Sequence, residues 1–426
     1  MPTTHHTLML TALLAVTAAA PAATPPAPPL PASAPGPRAA TAPPDTARLS
    51  LTSPSGSASI PIDPRGNILY FRGRINDSDS LWMVLDSGAS NNAIDAGVAR
   101  SLGLEIAQGG VAHGAGGTVE TGSVRDVTIR LPGATLAGTS LGTLPLEAFR
   151  RQTGRAMDVI LGHPLLSRSV VRVDYAARTL EILPADTFHY SGRGAVIPLT
   201  FQDRLPYITA RVTLPGRGPL ERRFVIDLGS AQALILSAPF VRDERVLEAL
   251  PRTIQGRGRG VGGQTQTLVG RVTCLEIAGM RIDQPITVLR VSDQGVISAR
   301  GTAGNIGGEI LRRFTVIFDY RRKRMILEPN QRLGEAFEAD MGGLGLRMGP
   351  EGSNALQVDW NQPGSPATEA GMQPEDLIER IDGRSAIEVG IPALREMFRR
   401  EGETHRLGIR RGDATMEVSL TNRRMI

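Results

Sequence analysis

WMVLDSGAS, residues 82–90, is an apolar run that delivers Asp86 into a Ser87-Gly88 turn. FVIDLGSA, residues 224–231, does the same for Asp227 at Leu228-Gly229, 141 residues later. Both runs have strand composition, and the glycines permit tight turns behind them. One Asp-x-Gly is an ordinary turn signal. A carboxylate at the end of a buried strand is costly unless something uses it. Two related copies therefore imply that two carboxylates meet.

The surrounding sequence repeats as well. Gly114-Ala115-Gly116-Gly117 follows the first Asp, and Gly260-Val261-Gly262-Gly263 follows the second. Each is succeeded by an alternating stretch, Val124 to Leu131 and Val269 to Ile277. DVILGHPLLSRSVVRVDYAARTLEILP (158–184) then matches AGNIGGEILRRFTVIFDYRRKRMILEP (303–329). The offsets are 146 for Gly117 and Gly263, and 145 for Gly162 and Gly307 and for Asp174 and Asp319. Ordered landmarks at nearly one offset are the mark of an internal duplication.

Each copy resembles a retropepsin-type aspartic protease unit: Asp-Ser/Thr-Gly, a glycine-rich flap, then an apolar-apolar-Gly segment before a short helix and hairpin. Two units in one chain resemble the bilobal pepsin arrangement, and the paired flaps resemble the retroviral enzymes. The resemblance covers roughly residues 60–330. It implies a mainly β fold of two barrel-like lobes, 49–188 and 189–330, with Asp86 and Asp227 face to face as an endopeptidase dyad. Neighbouring carboxylates share a proton, so one activates water while the other hydrogen-bonds the scissile carbonyl. No metal or cofactor is implied. Ser87, Gly88, Gly229 and Ser230 would support the dyad. Gly114, Gly116, Gly117, Gly260, Gly262 and Gly263 would form flaps that close over an extended peptide.

The second copy departs from this pattern. Leu228 stands where a Thr or Ser hydroxyl would reach across to the other lobe, and Asn305 stands where an apolar residue is expected. A lost hydrogen bond there costs about 1 kcal/mol, and a buried partner left unsatisfied roughly 1–3 kcal/mol. Two alternatives follow: a catalytically lapsed peptide-binding protein, and a dimeric protease that uses only Asp86.

From Gly342 onward GGLGLRM and LQVDWNQPGSPATEAGMQPEDLIERIDGRS resemble the PDZ domains attached to exported bacterial proteases. This implies a small β-barrel with two helices over 331–426. Gly343-Leu344-Gly345-Leu346 would be a loop of free amides that captures the carboxylate of a C-terminal peptide, beside a strand edge that pairs with it. Pro366 to Ala370 suits a short helix stopped by Gly371, and Ile391 to Arg400 has helical spacing.

The chain has 426 residues, enough for two or three domains. Leu8 to Ala20 is apolar and ends in Ala18-Ala19-Ala20, which reads as a signal peptide (1–20) too short to span a bilayer. His5 and His6 replace the usual basic residues before it. The Pro/Ala-rich stretch 21–48 reads as a disordered spacer or a propeptide. The expected location is periplasmic or secreted, with no transmembrane segment. One chain holding both carboxylates is expected to be monomeric.

A net charge of +5 comes almost wholly from arginine, and with 4% aromatics nucleic-acid binding has little support. Cys274, the single cysteine, excludes an internal disulfide and reads as a strand position. Gly138-Thr139-Ser140-Leu141-Gly142 lacks the strand-to-helix context of a nucleophile elbow. Gly258 to Gly263 matches GxGxxG but falls where the second flap belongs. His113 and His163 read as loop residues rather than zinc ligands.

Overall fold

The computed structural model describes residues 47–53, 56–292 and 301–426, together with the backbone of His6–Met9. That short strand runs parallel to Ala107–Gly114. The rest of the expected signal peptide, and the spacer up to residue 46, lie outside the described residues.

The fold is mainly β: a nine-stranded and a ten-stranded sheet form two lobes, and a six-stranded sheet joins them. The duplication is visible in the strand order. In the first lobe Val159–Leu161 lies parallel to Leu81–Leu85 and antiparallel to Asn92–Asp95. In the second, Gly304–Gly307 lies parallel to Pro219–Asp227 and antiparallel to Leu234–Leu236. Each Asp-bearing strand is thus clamped by the apolar-apolar-Gly segment of its own copy. These segments are buried on both faces, which explains their continuous rather than alternating apolar sequence.

Ser169–Asp174 pairs antiparallel with Phe314–Asp319 at the centre of the joining sheet. Their hairpin partners, Thr179–Pro184 and Arg324–Pro329, flank them on either side. Ala58–Pro61 and Ala195–Pro198, one strand ahead of each lobe, form the two edges. Val171, Val173, Val316 and Phe318 from this sheet are buried in a core that also takes in Leu85 and Ile226. The lobes therefore share one hydrophobic core, and the two Asp turns have a common floor.

The expected alternating stretch Val269 to Ile277 is interrupted. Gly263–Arg271 ends, and Cys274–Ile277 begins a separate strand with Cys274 buried. Its first-lobe counterpart runs unbroken through Gly117–Leu131. His113 lies in the strand Ala107–Gly114 and His163 opens the helix His163–Leu166, so neither is a loop residue.

The C-terminal domain has its own core, including Leu346, Val358, Ile378, Leu394 and Leu407. Its sheet runs Leu344–Met348, Leu356–Asn361, Leu377–Ile381, Thr404–Arg411 and Ala414–Thr421. Ser365 caps the helix Pro366–Glu369, and Gly371 follows at φ 78°. The second helix, Ala386–Met397, contains a non-helical Gly390 (φ 74°) just before Pro392.

Residues 332–337 are held by the second lobe, whereas Glu338 pairs with Arg424 and Met341 bonds Phe398 and Arg423 of the C-terminal domain. Arg313 donates to the carbonyls of Arg332 and Glu335 at 2.8 and 2.5 Å, and its guanidinium lies 3.7 Å from the Phe337 ring centre. Phe337 itself is buried in the core shared by the two lobes. The first half of the connector is therefore fastened to the second lobe and its end to the C-terminal domain.

Candidate active site

Asp86 and Asp227 come together within one chain, 1% and 0% exposed. The Asp86 amide donates to the Leu161 carbonyl at 2.9 Å. The Gly88 amide donates to Asp86 Oδ1 at 2.8 Å. A Cβ on Gly229 would lie 2.2 Å from the Asp86 carboxyl carbon, so only glycine lets the second turn approach the first Asp this closely. The two carboxyls lie close enough for each to shift the other's titration.

Burial is the main force on both acids and disfavours their charged forms. It pushes Asp86 up to about 7, against the pull of the Gly88, Gly229 and Ala89 amides. Asp227 is driven well above the usual carboxylate range by burial and then by the Asp86 charge. The amides of Gly88, Gly229 and Ala89 favour the ionised form of Asp86, and the Asp86 charge favours the protonated form of Asp227.

Ser87 is the brace between lobes. Its hydroxyl donates to the Ile226 carbonyl at 2.7 Å and accepts from the Leu228 amide at 3.0 Å. Leu228 has no hydroxyl to return the interaction; its side chain is buried in the shared core instead. The grip is one-sided, but the first lobe's half is complete. The buried hydroxyl of Ser230 has no hydrogen-bond partner. The residue supports the turn only through its backbone, accepting from the Gly308 amide at 2.7 Å.

Asn305 is the residue that the sequence reading undervalued. It sits beside Asp227 in the clamp and donates from Nδ2 to Asp227 Oδ2 at 2.7 Å. The polar departure from an otherwise apolar segment was the available signal. Its carboxyl partner could not be read from spacing, because the two lie 78 residues apart.

The flaps are closed. The Gly116 amide donates to the Val261 carbonyl at 2.9 Å. A Cβ on Gly114 would come within 2.3 Å of the Val261 oxygen, and one on Gly116 within 2.2 Å of the Gly263 oxygen. Gly262 would meet Gly117 at 2.3 Å in the same way. Gly260 approaches Ala115, whose Cβ would lie 2.8 Å away. Each flap tip crosses to the opposite lobe: Ala115 packs on Ile235 and Val288, while Val261 packs among Ile68, Tyr70, Val84 and Ile160.

Arg290 was not foreseen. It is 1% exposed and donates from Nη2 to the Ala115 carbonyl at 2.6 Å. Burial brings its guanidinium down to about 10. A second-lobe cation thus holds the first-lobe flap tip. A cavity of about 200 Å3 lies beside the flaps, lined by Val119, Leu144, Leu146, Phe149 and the Gly260–Gly263 turn.

In the C-terminal domain the expected loop of free amides is not free. Asp340 Oδ1 accepts from the amides of Gly342 and Gly343 at 3.0 and 2.7 Å. Leu344, Gly345 and Leu346 belong to the strand Leu344–Met348. A Cβ on Gly345 would lie 1.8 Å from Trp360 Nε1, so this glycine serves a close packing contact.

Ser140 is exposed within the strand Ala134–Leu144, not at a strand-to-helix turn. The segment Gly258 to Gly263 forms the flap hairpin between Ile254–Gly260 and Gly263–Arg271. Among the described residues, no helix is long and apolar enough to cross a membrane.

Residues 71–165 match the aspartyl protease family model, and residues 357–411 match the PDZ domain model. Over 97 residues the chain is 27% identical to a probable CtpA-like serine protease of Staphylococcus haemolyticus (strain JCSC1435). That match spans 22% of this chain and 19% of the relative's length. The solved aspartic proteinase from Irpex lacteus is 13% identical, with 66% of this chain and 99% of that one covered and a TM-score of 0.42. The chain carries an aspartyl protease domain, whose matched region holds Asp86, followed by a PDZ domain.

Proposed function

We propose that this protein is an aspartic endopeptidase in which Asp86 and Asp227 act together on one water molecule. The observation that carries the reading is the pair of fully buried carboxyls brought together where the Gly229 turn meets Asp86, both raised by burial. Ionised Asp86 takes a proton from the water as it attacks the peptide carbonyl. Protonated Asp227 hydrogen-bonds the carbonyl oxygen and stabilises the charge that develops there. The Gly88 amide favours the ionised form of Asp86, and Asn305 orients the Asp227 carboxyl.

The interlocked flaps support a cycle in which they part to admit an extended chain and close to exclude water. The cavity beside them is lined mainly by aliphatic and aromatic side chains, with Thr118 and Arg259 among them, which favours an apolar residue near the cut. The PDZ domain is read as the part that engages peptide or protein partners. Export to the periplasm or beyond is proposed from the apolar stretch Leu8 to Ala20 alone.

The test is digestion of a complex peptide mixture from acidic to alkaline pH, followed by mass spectrometry of the products. Cleavage that disappears in both Asp86→Asn and Asp227→Asn supports the reading. Cleavage that survives Asp227→Asn defeats it. Recovery of protein cut after Ala20 from the cell exterior tests export, and retention of an intact leader inside the cell argues against it.

A further inference from the structure

Glu309 is a buried acid that the dyad chemistry does not use. It is 4% exposed and sits in the short helix Gly308–Leu311, directly after the clamp segment Gly304–Gly307. The duplication supplies its comparison. At the offset of 145 that aligns Gly162 with Gly307, Glu309 falls on Pro164, which is also buried. The second repeat therefore carries a charge where the first carries an apolar ring. A buried carboxylate is costly unless it is paired. Glu309 thus answers something that only the second lobe meets.

That neighbour is the PDZ domain. Arg399 Nη2 lies 3.6 Å from Glu309 Oε1, while Nη1 donates to Glu396 Oε1 of its own domain at 3.1 Å. Arg399 directly follows Phe398, which is buried in the PDZ core and whose carbonyl accepts from the Met341 amide at 2.8 Å. The guanidinium is therefore mounted on a well-packed part of its domain. Arg271 and Arg313 also lie in the field of Glu309. Arg271 donates from Nη1 to the carbonyls of Gln284 and Phe337, and Arg313 to those of Arg332 and Glu335. Asp340 and Glu338 add to the negative field around Arg399. Among the described residues, Arg399 is the cation within ion-pair distance of Glu309.

From Glu309 the connection runs into the Asp227 turn. The Glu309 amide donates to the Gln232 carbonyl at 3.3 Å, and the Gly308 amide to the Ser230 carbonyl at 2.7 Å. Gly307 is the register partner of Asp227 itself, and Asn305 in the same segment bonds the Asp227 carboxyl. The packing has no slack. A Cβ on Gly307 would lie 2.3 Å from the Gln232 oxygen, and one on Gly308 2.1 Å from the Asn67 oxygen. A displaced helix therefore moves the turn and the Asn305 amide together.

The PDZ domain is docked at a second place as well. The helix Glu147–Thr153 packs on the strand Leu344–Met348, and a Cβ on Gly154 would lie 3.2 Å from Met348 Sδ. Those contacts hold the domain to the first lobe, so that Arg399 bears on the second from a fixed position.

We propose that Glu309 is a positioning residue for the dyad, through which the docked PDZ domain holds the Asp227 turn in its working geometry. Its effect on turnover rests on the peptidase reading; its hold on the turn does not. Undocking of the PDZ domain removes the Arg399 contact and loosens the second turn. The first turn, with Pro164 in the corresponding place, is left as it is. The C-terminal domain is thereby part of the catalytic apparatus.

Amide hydrogen exchange of the full chain, read by mass spectrometry, tests the hold without any substrate. In Glu309→Gln and in Arg399→Gln, the peptide 224–234 should exchange roughly tenfold faster, while its first-repeat counterpart 83–93 keeps the parent rate. The double variant should exchange no faster than the faster single, since both changes remove one contact. Unchanged exchange at 224–234, equal loosening of both repeats, or defects that multiply in the double variant would each overturn the proposal. If Glu309→Gln fails to fold, Arg399→Gln, whose side chain is partly exposed, decides by the same comparison of the two repeats.

Turnover supplies the second readout. In each variant kcat should drop about tenfold with KM nearly unchanged, because the dyad is displaced and the binding surface is not. An unchanged kcat beside faster exchange would overturn the positioning role. If the parent protein cleaves nothing, the peptidase reading fails, and the exchange comparison alone decides whether the PDZ domain holds the Asp227 turn.

Discussion

The Ser87 hydroxyl accepts the Leu228 amide at 3.0 Å while donating to the Ile226 carbonyl at 2.7 Å, tying the two Asp turns together. Ser87→Ala leaves two buried backbone groups without partners. At roughly 1–3 kcal/mol each, the expected loss is about 2–6 kcal/mol. Denaturant unfolding measures it, and a loss under about 0.5 kcal/mol would show that the turns are held by packing alone.

The dyad predicts an unusual pH profile for a pair of carboxylates. Asp86 must be ionised, and burial pushes it up to about 7. Asp227 must keep its proton and titrates higher. Hence kcat/KM should climb through a limb near pH 7 and decline only at more alkaline pH. A rising limb near pH 4, the unperturbed range, would contradict the assignment.

Stability should move the opposite way. A carboxyl raised from 3.8 to about 7 favours the folded chain when protonated, and loses that contribution as pH rises through about 7. The contribution is at most roughly 4 kcal/mol. Asp86→Asn should therefore flatten the fall in unfolding temperature between pH 4 and 8. An unchanged slope would mean that the folded acid is not perturbed.

Asn305→Leu removes the amide that favours the ionised form of Asp227. The alkaline limb of the profile should shift to higher pH, and kcat should drop about tenfold through lost positioning. A pH–rate comparison with the parent separates the two effects. A limb that stays in place would reduce Asn305 to a packing residue.

Gly116→Ala should block flap closure, since its Cβ would come within 2.2 Å of the Gly263 oxygen. The flap lies above the shared core, so unfolding temperature should change little while kcat/KM drops at least about tenfold. Full activity in this variant would mean that the flaps need not meet during turnover.

Much of the architecture was legible before any coordinates. Asp86, Asp227 and the paired glycine turns were found because tight turns and close backbone approaches need glycine at fixed offsets. The apolar segments before Gly162 and Gly307 announced the clamped strands, since burial on both faces demands a continuous apolar run. Leu228 was legible as a missing hydroxyl. Its amide still bonding Ser87 was not, because a backbone group carries no side-chain signature.

The loop 343–346 misled for a related reason. Its glycines signal a free nest of amides, yet Asp340, a few residues earlier, folds back onto Gly342 and Gly343. Nothing local distinguishes an acceptor supplied by the chain from one supplied by a ligand.

The sequence by itself determined the duplication, the two carboxylates, the flaps and the separate C-terminal module, because each is written in short-range patterning and repeat spacing. Only the tertiary structure decided that burial raises both carboxyls, that Asn305 and Arg290 bond the site, and that the helix Glu147–Thr153 packs on the strand Leu344–Met348. Those outcomes depend on desolvation and on partners 78 to 175 residues apart, as for Asn305 with Asp227 and Arg290 with Ala115. Such pairs exist only once the shared core has brought distant segments together and expelled the water between them.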